Sequence, residues 1–348
     1  MMFLPLRGML AAAVLRSPLP EVIFRHRAWK HLTVIAYHRI HAVSDATHPF
    51  DDLTISASAE ELARELQFFQ RHLDVISVPE LLSGMKSKTL PPRPALITFD
   101  DGYADNHEVA FPILREHRVR ACFFVCTQLV GTAAMPWWDH VACCMKLATR
   151  RQIASPCSED DPPYDLHPDE RTRSIYRFLL QLKKSPWVDL PRYLNYLQDV
   201  TSVNPADHAD KPLLMSWAAV RELKAAGMEI GSHTRSHPVL ARLHDRSLLR
   251  AEIGGSYEDL RRALGTPPLA FAYPVGSRDA ISLRAEREVE RAGYEISFSY
   301  QHRIAPLLAG HRFRVPRLHS EFGENFGAFR LGLIRAARAG FDAGAVVD

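Results

Sequence analysis

Residues Ala95-Leu96-Ile97-Thr98-Phe99-Asp100-Asp101-Gly102-Tyr103 run from an apolar stretch straight into two adjacent carboxylates and a glycine. β-branched and aromatic residues ahead of an Asp-Gly pair read as a strand ending in a turn. In parallel α/β folds chemistry collects at the C-terminal edge of the strands, which is where Asp100 and Asp101 then stand. Far downstream, Met228 to Ser232 is a second strand-like segment, and Ser232-His233-Thr234-Arg235-Ser236-His237 follows it with two imidazoles at i and i+4. One carboxylate and two imidazoles make a three-ligand set for a divalent ion that keeps a position open for water, and the other carboxylate is free to act as a base. Alone, Asp-Asp-Gly reads as a plain turn and His-x-x-x-His as an exposed helix face. Together they imply a metal-dependent hydrolase.

Outward from these motifs, strands are expected at Leu32 to Tyr37, Val75 to Val78, Ala121 to Cys126, Leu269 to Tyr273, Glu295 to Ser299 and Phe313 to Leu318. Helical patterns lie between them. Ala59 to Leu73 carries Leu62, Leu66, Phe69 and Leu73 on one face. Trp217 to Ala226 begins after Ser216 and stops at Gly227, and Ser247 to Leu264 and Ser282 to Ala292 are built alike. The alternation implies a parallel sheet. It is broken from about 133 to 212, where Pro136-Trp137-Trp138-Asp139, a Pro- and acid-rich segment and a helical run from Arg171 to Lys183 read as an insertion. Trp137 and Trp138 either stack on sugar rings or pack the insertion onto the barrel.

Thr98-Phe99-Asp100-Asp101-Gly102 and His233-Thr234-Arg235-Ser236-His237 resemble the first two motifs of the polysaccharide deacetylase family, also called the NodB-homology domain or carbohydrate esterase family 4. The likeness covers roughly residues 32 to 132 and 213 to 320. It is strongest toward the branch that resembles poly-N-acetylglucosamine deacetylases. The resemblance implies a distorted (β/α) barrel with a helical insertion, a metal held by Asp101, His233 and His237, most often zinc (Zn2+), and Asp100 as the base. Phe271-Ala272-Tyr273-Pro274-Val275-Gly276 resembles the third motif, with Ala272 where the best-known members carry an arginine. That arginine orients the catalytic aspartate, so its task passes to another cation, of which Arg317 is the candidate. Tyr273 and Arg317 are thereby placed on the substrate and oxyanion side. An amide's leaving nitrogen needs a proton. The resemblance offers two histidines for it: His38, after Val34-Ile35-Ala36-Tyr37, is favoured over His319, in Arg317-Leu318-His319. The family's Asp/Trp motif behind the acid is not evident.

The implied activity is removal of N-acetyl groups from a glycan or a lipid-linked amino sugar. An O-acetyl esterase, a sugar-lipid deformylase and a catalytically inactive carbohydrate-binding protein are the alternatives. The 348 residues, 47% hydrophobic and 24% charged, suffice for one large domain. It spans residues 32–320, between a basic segment at 1–31 and a helical tail at 321–348. A net charge of +3 without a Lys/Arg block excludes nucleic acid as a partner. Five cysteines, an odd number, argue for a reducing, cytoplasmic setting. Arg7, Arg16, Arg25, Arg27 and Lys30 among apolar residues suit a peripheral seat on an anionic membrane surface. The amphipathic Asn325 to Gly340 is expected to pack on the barrel.

Overall fold

A computed structural model describes residues 31–41, 48–157, 160–209, 211–306 and 312–319. The basic segment at 1–30 and the tail from 320 onward, with the amphipathic stretch 325–340, lie outside the described residues. Seven strands carry the architecture: β1 (His31–Tyr37), β2 (Pro94–Phe99), β3 (Cys122–Val125), β4 (Glu229–Ser232), β5 (Ala270–Ala272), β6 (Ile296–Phe298) and β7 (Leu318–His319). They pair in parallel in the spatial order β6-β5-β4-β3-β2-β1-β7. A bridge from Phe298 to Val315, just before β7, links β6 to the same segment that pairs Leu318 with Ile35. The ring closes there as a distorted (β/α) barrel.

All six residues of β2 are buried, as expected of a strand covered on both faces. Strand alternation sorts the core into layers. Val34, Leu96, Phe124, Ala272 and Phe298 share one cluster, while Ile35, Tyr37, Ile97, Phe99 and Phe123 join the helices in another.

The helices are α1 (Ala59–His72), α2 (Val78–Ser87), α3 (Phe111–Glu116), α4 (Trp137–Leu147), α5 (Pro168–Lys184), α6 (Leu190–Thr201), α7 (Trp217–Ala225), α8 (Arg246–Leu264) and α9 (Leu283–Ala292). Helices α4, α5 and α6, with the short hairpin Gln152–Ile153/Tyr164–Asp165, fill the stretch between β3 and α7 and join the outer core through Trp138, Val141, Phe178 and Leu197. Among the described residues no helix is long and apolar enough to cross a membrane.

Two expected strands need correction. Only Asp74–Val75 pairs with β2, because Ser77 and Glu80 form a capping box that starts α2 at Val78. Phe313 to Leu318 is no continuous strand: Pro316 has no N–H to give a ladder, and only Val315 and Leu318–His319 pair.

Candidate active site

The turn after β2 is built to turn two carboxylates apart. Asp101 has φ 69° and Gly102 φ 84°. A short polar side chain tolerates the left-handed region, and at Gly102 a Cβ would lie 3.1 Å from Val125 and Val130. Asp100 and Asp101 are both buried. Their partners differ.

Asp100 is gripped by Arg317, which donates from both terminal nitrogens at 2.7 and 2.6 Å; its Nε donates to the Ser299 carbonyl at 3.0 Å. Arg317 is fully buried. Burial alone would raise the Asp100 carboxyl, but Arg317 and His233 more than offset it and hold it below the ordinary carboxylate range. Arg317, expected on the substrate and oxyanion side, lies behind Asp100 and is not among the residues that line the cavity. It grips the aspartate that the resemblance expects to be oriented, with Ala272 standing where the family's arginine would be.

Asp101 faces the imidazoles. Its Oδ1 lies 3.4 Å from Nε2 of both His233 and His237, too long for good hydrogen bonds, and among the described residues no donor satisfies it. His233 Nδ1 donates to the Ala272 carbonyl at 2.8 Å, which leaves the Nε2 lone pair turned toward Asp101. One ligand atom from each of Asp101, His233 and His237 lies within 4.8 Å of the others, the only such group of three among the described residues. An unsatisfied carboxylate oxygen between two imidazoles fits a bound cation.

The loop that carries the imidazoles is clamped from α8. Glu252 accepts from the backbone N–H groups of Arg235 and Ser236 at 2.9 and 3.0 Å and from the Ser236 hydroxyl at 2.6 Å. Asp259 takes both ends of the Arg235 guanidinium at 2.8 Å. These bonds secure Thr234 and His237 in the left-handed region, at φ 67° and 62°. Sequence reading missed both acids, since a helical Glu or Asp is ordinarily a solvated one.

A cavity of about 210 Å³ opens over these groups. His38, at the end of β1, lines it; His319 does not. His319 stacks on Tyr300 at 4.6 Å, and Tyr300 meets His38 edge-on at 5.3 Å, so a ring separates the two candidate acids. Burial pushes the His38 imidazole below its ordinary value, against the pull of Asp101 and Asp100. Trp137 and Trp138 also line the cavity but are almost wholly buried. Trp138 lies 4.3 Å from the His237 ring and donates to the Tyr103 hydroxyl, and Trp137 donates to the His237 carbonyl at 3.2 Å. They brace the ligand loop.

Tyr273 is among the residues that line the cavity. Its hydroxyl donates to the Phe313 carbonyl at 3.0 Å and accepts from Ser297, so the phenol is committed to the core. Val275 of the same loop also lines the cavity, held at φ 62°, strained for a β-branched side chain. Asp51 and Lys183 also line it, with Leu53 and Thr54, and had no signal in the sequence. A larger groove of about 590 Å³ lies on the outer surface, where His107 pairs with Glu222 and Lys211 with Glu108, and no strand-end acid reaches it.

A parallel ring with an acid pair and two imidazoles on its C-terminal rim is the frame of a hydrolase. Residues 87–296 match the model of the polysaccharide deacetylase family, and the chain belongs to that family. It is a hydrolase of non-peptide carbon–nitrogen bonds, and the family implies an N-acetylated glycan as substrate. The fold is similar to that of the Streptococcus pyogenes deacetylase PplD solved in complex with acetate, at TM-score 0.57 and 17% identity over 88% of this chain and 98% of that one. IcaB from Ammonifex degensii gives 0.55 and 17% over 87% and 97%. A de-N-acetylase from Aggregatibacter actinomycetemcomitans gives 0.54 and 18% over 87% and 100%. No curated protein matches the chain in sequence.

Proposed function

We propose that Asp101, His233 and His237 hold a divalent cation, zinc being the ion suited to this oxygen-and-imidazole set, and that Asp100 and His38 are the base and acid that hydrolyse an acetamide on a glycan. The contrast within the acid pair carries the reading: Asp100 is locked on Arg317, while Asp101 is left open toward two Nε2 atoms. When bound, the ion supplies Lewis-acid polarisation and brings the acidity of water toward neutrality. Asp100, kept ionised by Arg317, takes the proton of the attacking water. The backbone of Val275 is the donor for the oxygen that gains charge. His38 delivers a proton to the leaving nitrogen, because an unprotonated amide anion is expelled with great difficulty. Water's hydroxyl ends on the acyl carbon and a proton on the amine, so the reaction balances.

For location, we propose the cytoplasmic face of a membrane, supported by the basic N-terminal segment and the odd number of thiols. Fractionation that finds a processed chain outside the cytoplasm contradicts it.

The test is elemental analysis with product release. The protein should carry about one metal per chain and release acetate from N-acetylglucosamine oligomers, with N-formyl and O-acetyl analogues as comparison arms. Stoichiometric metal in a His233→Ala/His237→Ala double variant overturns the ligand set.

A further inference from the structure

Lys183 ends the face of α5 that meets the barrel, and Asp51 precedes the short turn Asp52–Thr54; both line the catalytic cavity. Neither belongs to the hydrolytic set. Asp51 is fixed in place: its N–H donates to Asp139 at 2.9 Å, and its Oδ1 accepts from the Leu53 N–H at 3.0 Å. No described donor reaches its second oxygen. Lys183 is half-buried, feels the Asp51 and Asp101 carboxylates, and forms no ion pair or hydrogen bond with a described residue. An ammonium and a carboxylate thus line one cavity of about 210 Å³ with no ion pair between them.

An ammonium and a carboxylate oxygen that face one cavity without a protein partner are free to hydrogen-bond a ligand that enters it. An ammonium only donates and a carboxylate only accepts, whereas a hydroxyl does both. One sugar hydroxyl can accept from Lys183 and donate to Asp51 at once. An anionic group would satisfy Lys183 but face Asp51 and Asp101; a cationic group would meet the reverse. We propose that Lys183 and Asp51 form a clamp for one hydroxyl of a neutral sugar ring in the catalytic cavity, so that the insertion selects the glycan the barrel cleaves. This rests on the reading of the cavity as a glycan site.

The test is calorimetric binding to zinc-loaded protein, with a tetramer of N-acetylglucosamine and derivatives lacking single hydroxyls as probes. Lys183→Met, which keeps the aliphatic length, and Asp51→Asn should each weaken the tetramer about 10–100-fold while retaining metal. One deoxy derivative should lose a similar factor on the unaltered protein and little further on Lys183→Met, since the partner is already gone. If Lys183→Met binds the tetramer and every deoxy derivative as the unaltered protein does, the clamp is wrong. Tighter binding of a carboxylated or phosphorylated oligomer that Lys183→Met abolishes also overturns it, in favour of an anion site. Acetate release from the same tetramer is read separately: protein that binds with this pattern but releases nothing breaks the hydrolytic reading and leaves the clamp standing.

Discussion

The strand-end rim and the helical wall across from it are both polar and both buried, but they are tied differently. On the wall, Asp139 accepts from the Asp51 N–H and the Tyr103 hydroxyl at 2.9 and 2.7 Å. Trp138 donates to Tyr103, Arg39 lies 4.7 Å over its ring, and Arg39 pairs with Asp105 at 2.8 Å. That network closes on itself. The rim is clamped at Asp100, His233 and the loop behind His237, yet leaves Asp101 Oδ1 and His237 Nδ1 without hydrogen-bond partners. A fully satisfied buried network fixes shape; one with chosen atoms unpaired keeps reactivity. Substitutions on the rim should therefore change chemistry, and those within the closed Asp139–Tyr103–Arg39 network chiefly stability.

The sharpest break would come at Arg317. Arg317→Met leaves Asp100 buried and uncompensated, so kcat should fall ~10²–10⁴-fold with loss of the base, and unfolding should become easier by ~3–5 kcal/mol. Arg317→Lys should rescue only part, since an ammonium cannot reproduce the fork. Normal turnover in Arg317→Met would remove the pair from the mechanism. Asp100→Asn should lose turnover on the same scale and keep its metal.

His38→Ala should lose ~10²–10⁴-fold on the acetamide but keep much of its activity on an activated aryl acetate, whose leaving group needs no proton. His319→Ala should be far milder on the amide. The reverse pattern transfers the acid's role to His319.

Glu252→Gln loosens the ligand loop without touching a ligand. Metal affinity measured by competitive chelation should fall about 10–100-fold; unchanged affinity would mean that the loop holds itself.

A wall substitution sharpens the contrast. Burial lifts the Asp139 carboxyl to about 7, well above an ordinary aspartate near 4. The folded state then binds this proton more tightly than the unfolded chain. Its contribution is complete below about pH 4 and is lost as pH rises through about 7. Asp139→Asn should flatten the fall of Tm over that window while altering kcat little. An unchanged slope would assign the pH dependence elsewhere.

What could be read before the fold was seen follows the same division. Asp100, Asp101, His233 and His237 were legible because each pair is contiguous or one turn apart and follows a strand pattern. Arg317 was legible only as a chemical need, a cation to replace the one absent at Ala272; its position behind the base came from the closure of the ring. Glu252 and Asp259 lie a helix away from the loop they hold, and Lys183 reaches the cavity that Asp51 also lines only because α5 folds back over the barrel. No local pattern encodes such meetings. Helix α2 escaped because Val75, Ile76 and Val78 suggest a strand, while Ser77 and Glu80 were in plain sight as its cap.

Arg317 stands 217 residues after Asp100, on the segment whose bridge and strand close the ring. A chain still emerging from the ribosome, or cleaved ahead of Val315, already owns its acids and imidazoles but lacks the counter-charge that readies the base. On the proposed mechanism, competence then waits until the closing segment has been made. The closing segment would then act as a completion signal written into the covalent order, and a chain lacking it should be silent as a hydrolase.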